Sequence, residues 1–171
     1  DMALAGHDVR FLLWPDQLEC LEACRAAGGI HVDEPASETI SGKTGLGAIS
    51  VITDDPAEAM AGADLVVLDE VQLNLEVRAA DFIPHLENEQ VLHVNMHGYW
   101  PSFRLSAMLR DADKAGVTVT EGVTPTHAAA RTGAHITPGF LRRALPLAAF
   151  PANRSDTALA RLAAITKPGQ H

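Results

Sequence analysis

Short apolar runs alternate with stretches of helical periodicity along most of the chain. Residues 8–14 (DVRFLLW) form a dense apolar strand candidate. Pro15 then opens a helix through Ala26, and Gly28 and Gly29 stop it. Short strands are predicted over 29–32 and 49–53. Asp54, Asp55 and Pro56 supply an N-cap with proline in the first turn, and a short helix over 57–61 ends at Gly62. Residues 63–68 (ADLVVL) read as a nearly continuous apolar strand, the pattern of one covered on both faces. A helix over 73–83, a strand over 91–95, a helix over 101–115 and a strand over 117–121 continue the alternation. A last helix is predicted over 156–165. Residues 33–47, rich in Ser, Thr and Gly, read as a hairpin or as a loop over a site.

Strands separated by helices of about ten to fifteen residues build βαβ units. The predicted fold class is therefore α/β, with a doubly wound, mostly parallel sheet. At 171 residues, 47% of them hydrophobic, the chain suits one domain with its own core. Its expected organisation is a core over about 1–122 and an extension over about 123–171. No apolar run reaches the ~20 residues that span a bilayer, and the first residues lack the pattern of a signal peptide. Cys20 and Cys24, four apart in a predicted helix, share one face and read as core thiols in a reducing compartment. These features place the expected location in the cytoplasm.

The charge narrows the partners. With 22 acids against 13 bases, the formal net charge is -9, which does not suit a nucleic-acid backbone. A nucleotide cofactor stays open, because backbone N–H groups and helix N-termini hold phosphates locally.

Three segments carry a resemblance. Residues 2–9 (MALAGHDV) are similar to the "LAxxGHxV" with which certain dehydrogenases end their first helix and enter the second strand. Residues 52–67 (ITDDPAEAMAGADLVV) look like "TxDxxEAxxGADLVV", where a short helix feeds the fourth strand. Residues 121–131 (EGVTPTHAAAR) are similar to "ETxTLPYxxR", although the Glu-to-Arg spacing is one residue longer and no Tyr is present. In this order the segments resemble NAD(P)-dependent dehydrogenases of the octopine/opine group, related to ketopantoate reductases. The resemblance covers roughly residues 2–165. It implies a Rossmann-like fold, NAD or NADP as cofactor, and hydride transfer to the imine of an amino acid and a 2-oxo acid. In that family the glycine loop G-x-G-x-x-G lies between the first strand and first helix. The chain opens inside what corresponds to that helix, so an N-terminally truncated domain is expected. The neighbours of the absent strand would carry unpaired edges, open to homo-oligomer formation. The family's catalytic His and its acidic partner lie in a later domain, so no catalytic residue is assigned. Other readings remain: a ketopantoate reductase-like 2-hydroxy-acid dehydrogenase, or a non-catalytic nucleotide-sensing or interaction module.

Candidate site residues follow from strand ends. Asp16, just past the second family strand, is placed to hold a ribose or to favour a helix N-terminus. Leu68 ends the strand over which the nucleotide lies in the family. Asp69 and Glu70 depart from the small residues usual there, and they would repel an anionic cofactor unless they point away. Asn95 closes the strand 91–95, near the family's nicotinamide, or else makes an Asx-turn. His97 leads a group with Tyr99, Trp100, Phe103 and Arg104 that would line a substrate pocket or pack under the next helix. Glu121 is a further cofactor candidate. Arg131 would fix a substrate carboxylate, or pair with Glu121 at a turn. His127 has acid–base chemistry available, but the family role is not carried over to it.

Two signals are set aside. Ser41-Gly42-Lys43-Thr44 contains the GKT of a phosphate loop, but the required upstream glycine position is Ser37 and the following residues read as strand. His93 and His97 are four apart without helical geometry, and the other histidines, His31 and His135 among them, are scattered along the sequence. No metal site is assigned.

Overall fold

The structure, a computed structural model, describes residues 1–96 and 98–166, without the side chains of Ile165 and Thr166. In chain order the first half holds β1 (Arg10–Leu12), α1 (Leu18–Ala27), β2 (Gly29–Val32), β3 (Gly45–Ala48), β4 (Val51–Thr53), α2 (Pro56–Met60), β5 (Leu65–Leu68) and α3 (Leu75–Phe82). The second half holds β6 (Val91–Val94), α4 (Pro101–Asp111), β7 (Thr118–Gly122), β8 (His127–Thr132), β9 (His135–Leu141), β10 (Leu147–Phe150) and α5 (Ser155–Thr166). The α/β class with parallel sheets is the one the alternation predicts. The chain falls into two compact units. One is built on Asp1–Ala59 and His127–Arg143, the other on Met60–Thr126 and Ala144–Ala163.

In the first unit β1 and β4 pair in parallel. The intervening α1 buries Leu21 and Cys24, three positions apart on one stripe. Cys20 lies on the same side, its Sγ 3.8 Å from that of Cys24. Both thiols are free, and burial pushes the Cys24 thiol up to about 11. Gly28 ends α1 at φ +68°, and its N–H bonds back to the carbonyls of Cys24 and Arg25. Glycine adopts this left-handed cap without a Cβ penalty. A second sheet follows the order β3-β2-β9-β8, with β2 and β9 parallel and the outer pairs antiparallel. Residues 33–44 therefore connect the antiparallel pair β2 and β3, Gly42 bends the connection at φ +67°, and 45–47, expected within a hairpin or loop, belong to β3. The carboxylate of Asp1 fastens this connection by accepting from the N–H groups of Ile40 and Ser41 at 2.7 and 3.0 Å.

The second unit has one sheet, ordered β10-β7-β6-β5, in which β5, β6 and β7 are parallel and β10 is antiparallel. All four residues of β6 are buried. On α3, Leu75, Ala79 and Phe82 are buried, and on α4, Pro101, Leu105 and Leu109. Both sets repeat every three or four residues, as an inward helix stripe requires. Val91, Ala149 and Ala158 form a cluster that joins β6, β10 and α5, with Leu65 against it.

Several expectations need correction. The strand expected over 63–68 is shorter, and it is not covered throughout. It forms the edge of its sheet, and Val67 is 47% exposed. The helix expected to reach 115 stops at Asp111, and Asp113 turns the chain at φ +58°. The region 123–150 holds three strands where none was predicted. Among the described residues β1 has β4 as its ladder partner and β5 has β6, so each is a terminal strand of its sheet.

Among the glycines of the described residues, Gly29 leaves the least room for a side chain beside another backbone. A Cβ there would lie 2.2 Å from the carbonyl oxygen of Gly47 on the paired strand. That neighbour is backbone, so no rotamer change relieves the clash. Gly29→Ala should lower stability by about 1–3 kcal/mol, measured by urea denaturation. An unchanged midpoint would show that β2 and β3 do not approach this closely.

Candidate functional site

In an open parallel sheet the carboxyl ends of the strands form the ligand crevice. In the second unit those ends are level. Leu68 is in register with Val94, and Val94 with Glu121. Leu68 is buried, and its carbonyl accepts from the N–H of Asn95 at 2.9 Å. Asn95 is buried too. Its Oδ1 accepts from both the N–H and the hydroxyl of Thr126, at 2.9 and 2.8 Å. The Asn95 carbonyl thus holds the turn that follows β7. Any ligand contact from Asn95 would come from its Nδ2.

Glu121 serves the next helix. Its Oε2 accepts from the N–H of Ser102 at 2.8 Å, in the first turn of α4. A carboxylate there satisfies an orphan donor and faces the positive end of the helix dipole. Glu121 thus has a partner within its own unit. Arg131 stands exposed on β8 in the first unit, opposite Ile136. Glu70 is engaged as well. It accepts from the N–H of Val71 and from Asn74 Nδ2, and it meets Arg78 Nε at 3.3 Å, with both charged side chains largely buried. Its charge is therefore turned toward α3.

Next to these strand ends lies a cavity of about 250 Å³, lined by Met96, Pro101, Glu121, Gly122, Val123 and Leu147 among others. Ligand pockets usually start near 300 Å³, so this one suits part of a ligand. Sequence reasoning missed its β10 wall, because no strand was predicted there. The expected aromatic group divides. His97 lies outside the described residues. Trp100 takes a left-handed backbone, φ +57°, directly before Pro101. Tyr99, Trp100 and Phe103 are all exposed, so they do not pack under the helix as one reading required. Arg104 pairs with Glu76 and, with the Gln72 amide turned, donates to Gln72 Oε1 at 3.0 Å. Two links thereby tie the start of α4 to the α3 region.

Asp16 is exposed in the single 3₁₀ turn Pro15–Gln17, between β1 and α1. Arg25, on α1, is held by Asp54 at 3.1 Å and by the carbonyl of Ile52 at 2.9 Å. His127 opens β8, half-buried, opposite Leu141.

No protein-family model and no curated protein matches the sequence. Solved structures do. Octopine dehydrogenase with NADH and L-arginine shares 20% identity at a TM-score of 0.76, over 96% of this chain and 42% of that one. Yersinopine dehydrogenase shares 12% at 0.75, over 93% of this chain and 39% of that one. A ketopantoate reductase from Ralstonia eutropha JMP134 shares 21% at 0.69, over 98% of this chain and 49% of that one. The chain has their Rossmann-like fold and spans less than half the length of each.

His93 supplies a pH test of this unit. It lies in the middle of β6, buried, with Nδ1 3.0 Å from the Thr120 hydroxyl. Burial lowers its pKa from 6.5 to about 4, against a smaller opposing contribution from Thr120. As pH falls below 6.5 the unfolded chain takes up the proton first, so stability is full above that value and declines toward pH 4. Between pH 7 and 5 this contribution should cost about 2 kcal/mol. Urea midpoints of the wild type and His93→Gln, compared at pH 7 and 5, measure it. The variant should show a shallower decline, and equal slopes would remove His93 as the cause.

Proposed function

We propose that this chain is the nucleotide-binding portion of an NAD(P)-dependent oxidoreductase with opine dehydrogenase-like chemistry. The observation that carries the reading is the fold correspondence with octopine dehydrogenase over 96% of the chain. Structures of that enzyme contain NADH together with L-arginine or pyruvate. By analogy the whole protein would join an amino acid and a 2-oxo acid as an imine. Hydride from the nicotinamide would reduce the imine carbon to the amine and leave oxidised cofactor. The protein's contribution would be to place the nicotinamide face against that carbon and to orient the carboxylates.

In this reading Leu68 and Asn95 form part of the bed for the nucleotide, and Asp16 accepts from the ribose hydroxyls. Glu121 acts on the cofactor indirectly, by fixing the start of α4. Arg131 is the proposed partner of a substrate carboxylate. Either nicotinamide cofactor is compatible. Yersinopine dehydrogenase binds NADP+, whereas Arg25, the nearest cation after β1, is already held by Asp54 and Ile52. The free thiols fit a cytoplasmic protein. A ketopantoate reductase-like activity is the second reading. It is favoured by the match to that reductase over 98% of this chain, and a later domain carrying a catalytic Lys rather than His would select it.

Amide chemical-shift mapping of the chain with NADH and with NADPH tests the proposal. The expected perturbations center on Leu68, Asn95 and Gly122, with Asp16 shifting at the ribose end. Hydride transfer by this chain alone is expected to be undetectable, since the family's catalytic residues lie in a later domain. Absence of perturbation by either nucleotide would sink the reading in favour of a non-catalytic interaction module. Measurable NADH oxidation by the chain would refute the dependence on a second domain.

A further inference from the structure

The second sheet of the first unit brings together residues that are remote in sequence. In the parallel β2–β9 ladder His31 stands opposite His135, and Val32 opposite Ile136. Register partners lie on one face of a sheet, and so do residues two apart on a strand. The run His31-x-Asp33 therefore stands beside His135-x-Thr137, all four side chains on one side. The geometry agrees. Asp33 Oδ1 lies 3.1 Å from His31 Nδ1 and 3.2 Å from His135 Nδ1. The other carboxylate oxygen accepts from the Thr137 hydroxyl at 3.0 Å. The imidazole centroids are 4.9 Å apart, with the rings tilted by 32°.

We propose that His31, Asp33 and His135 form a binding site for one divalent transition-metal cation of the zinc type. One donor atom from each residue can be chosen so that all three lie within 4.8 Å of one another. Ligands at about 2.0–2.2 Å from a tetrahedral ion sit roughly 3.4 Å apart, close to the two His–Asp separations. The protons also balance. A neutral imidazole carries one N–H, and moving it from Nδ1 to Nε2 frees the Nδ1 lone pair without net proton loss. Two hydrogen bonds to Asp33 are then exchanged for two coordinate bonds. Thr137 continues to hold the far carboxylate oxygen and so orients Asp33, as outer groups do around metal ligands. Two imidazoles and one carboxylate favour zinc, cobalt or nickel over magnesium or calcium, which prefer all-oxygen shells. The three side chains are partly exposed, so water completes the shell.

Such an ion would act as a staple. Asp33 and His135 are 102 positions apart, and a ligand that binds only the folded chain stabilises it. This inference does not depend on the proposed oxidoreductase activity.

The test uses the whole chain, stripped with a chelator, dialysed and titrated with cobalt(II) chloride alone. The expected result is one ion per chain with the visible bands of a low-coordinate cobalt site, displaced by zinc chloride. His31→Gln and His135→Gln should each weaken binding at least ~10-fold, while His7→Ala and His85→Ala leave it unchanged. Zinc should raise the melting temperature of the wild type and not of the two Gln variants. Asp33→Asn keeps the size of the side chain and its acceptor oxygen, so it serves as the ligand variant if a His substitution misfolds by circular dichroism. Binding that persists in all three ligand variants places the ion on other histidines and overturns the proposal. So does a wild type that takes up no ion while the variants lose stability, since the cluster is then only a hydrogen-bonded strut.

Discussion

The second unit depends on the register of its parallel ladder. Leu65 to Leu68, Val91 to Val94 and Thr118 to Glu121 are aligned residue for residue. Parallel strands need crossover connections, so the segments leading into α3 and α4 both leave from the same edge. Loops and a helix N-terminus are thereby gathered at the strand ends, beside Leu68, Asn95 and Glu121. The Asn95–Thr126 bonds, the Glu121 cap on α4 and the cavity beside them all follow from that alignment. A slip of one residue would reverse the facing of every side chain on the slipped strand. His93 would leave the Thr120 hydroxyl, and Asn95 would lose Thr126.

Much of this was legible in the sequence because it is local. The run Val91–Val94 is apolar enough to identify a covered strand, and Asn95 marks its end. Pro15 and Gly28 bracket a helix whose inward residues, Leu21 and Cys24, fall at helical spacing. What stayed hidden depends on long-range pairing or on weak local preference. β8 reads HAAART, and alanine has little strand propensity. β9 contains Pro138, which argues against a strand. Only the pairing of the two, through a tight turn at Gly133 with φ +57°, makes either one a strand. The partner of Glu121 was hidden for the same reason. Arg131 was the charged residue nearest in the motif, yet a backbone N–H 19 positions away holds the carboxylate. His31 and His135 looked scattered because only the β2–β9 ladder brings them together.

Acidity is the feature that weighs most against the proposed anionic cofactor, and its local distribution matters more than its total. The net charge is -9, but a charge in solution is screened beyond about 8 Å at physiological salt. What a pyrophosphate meets is therefore set by the groups within one or two side chains of it. At the strand ends of the second unit, two of the acids are occupied. Glu70 faces Arg78 and Asn74, largely buried, where removing the cation would cost about 3–5 kcal/mol. Glu121 faces the N–H of Ser102 and the positive end of α4. Both carboxylates are bound to donors of their own unit, so they act as internal struts rather than as a repulsive rim. The same arrangement commits the N-terminus of α4 to Glu121. An anion approaching that helix end would compete with the Glu121 carboxylate for the Ser102 N–H.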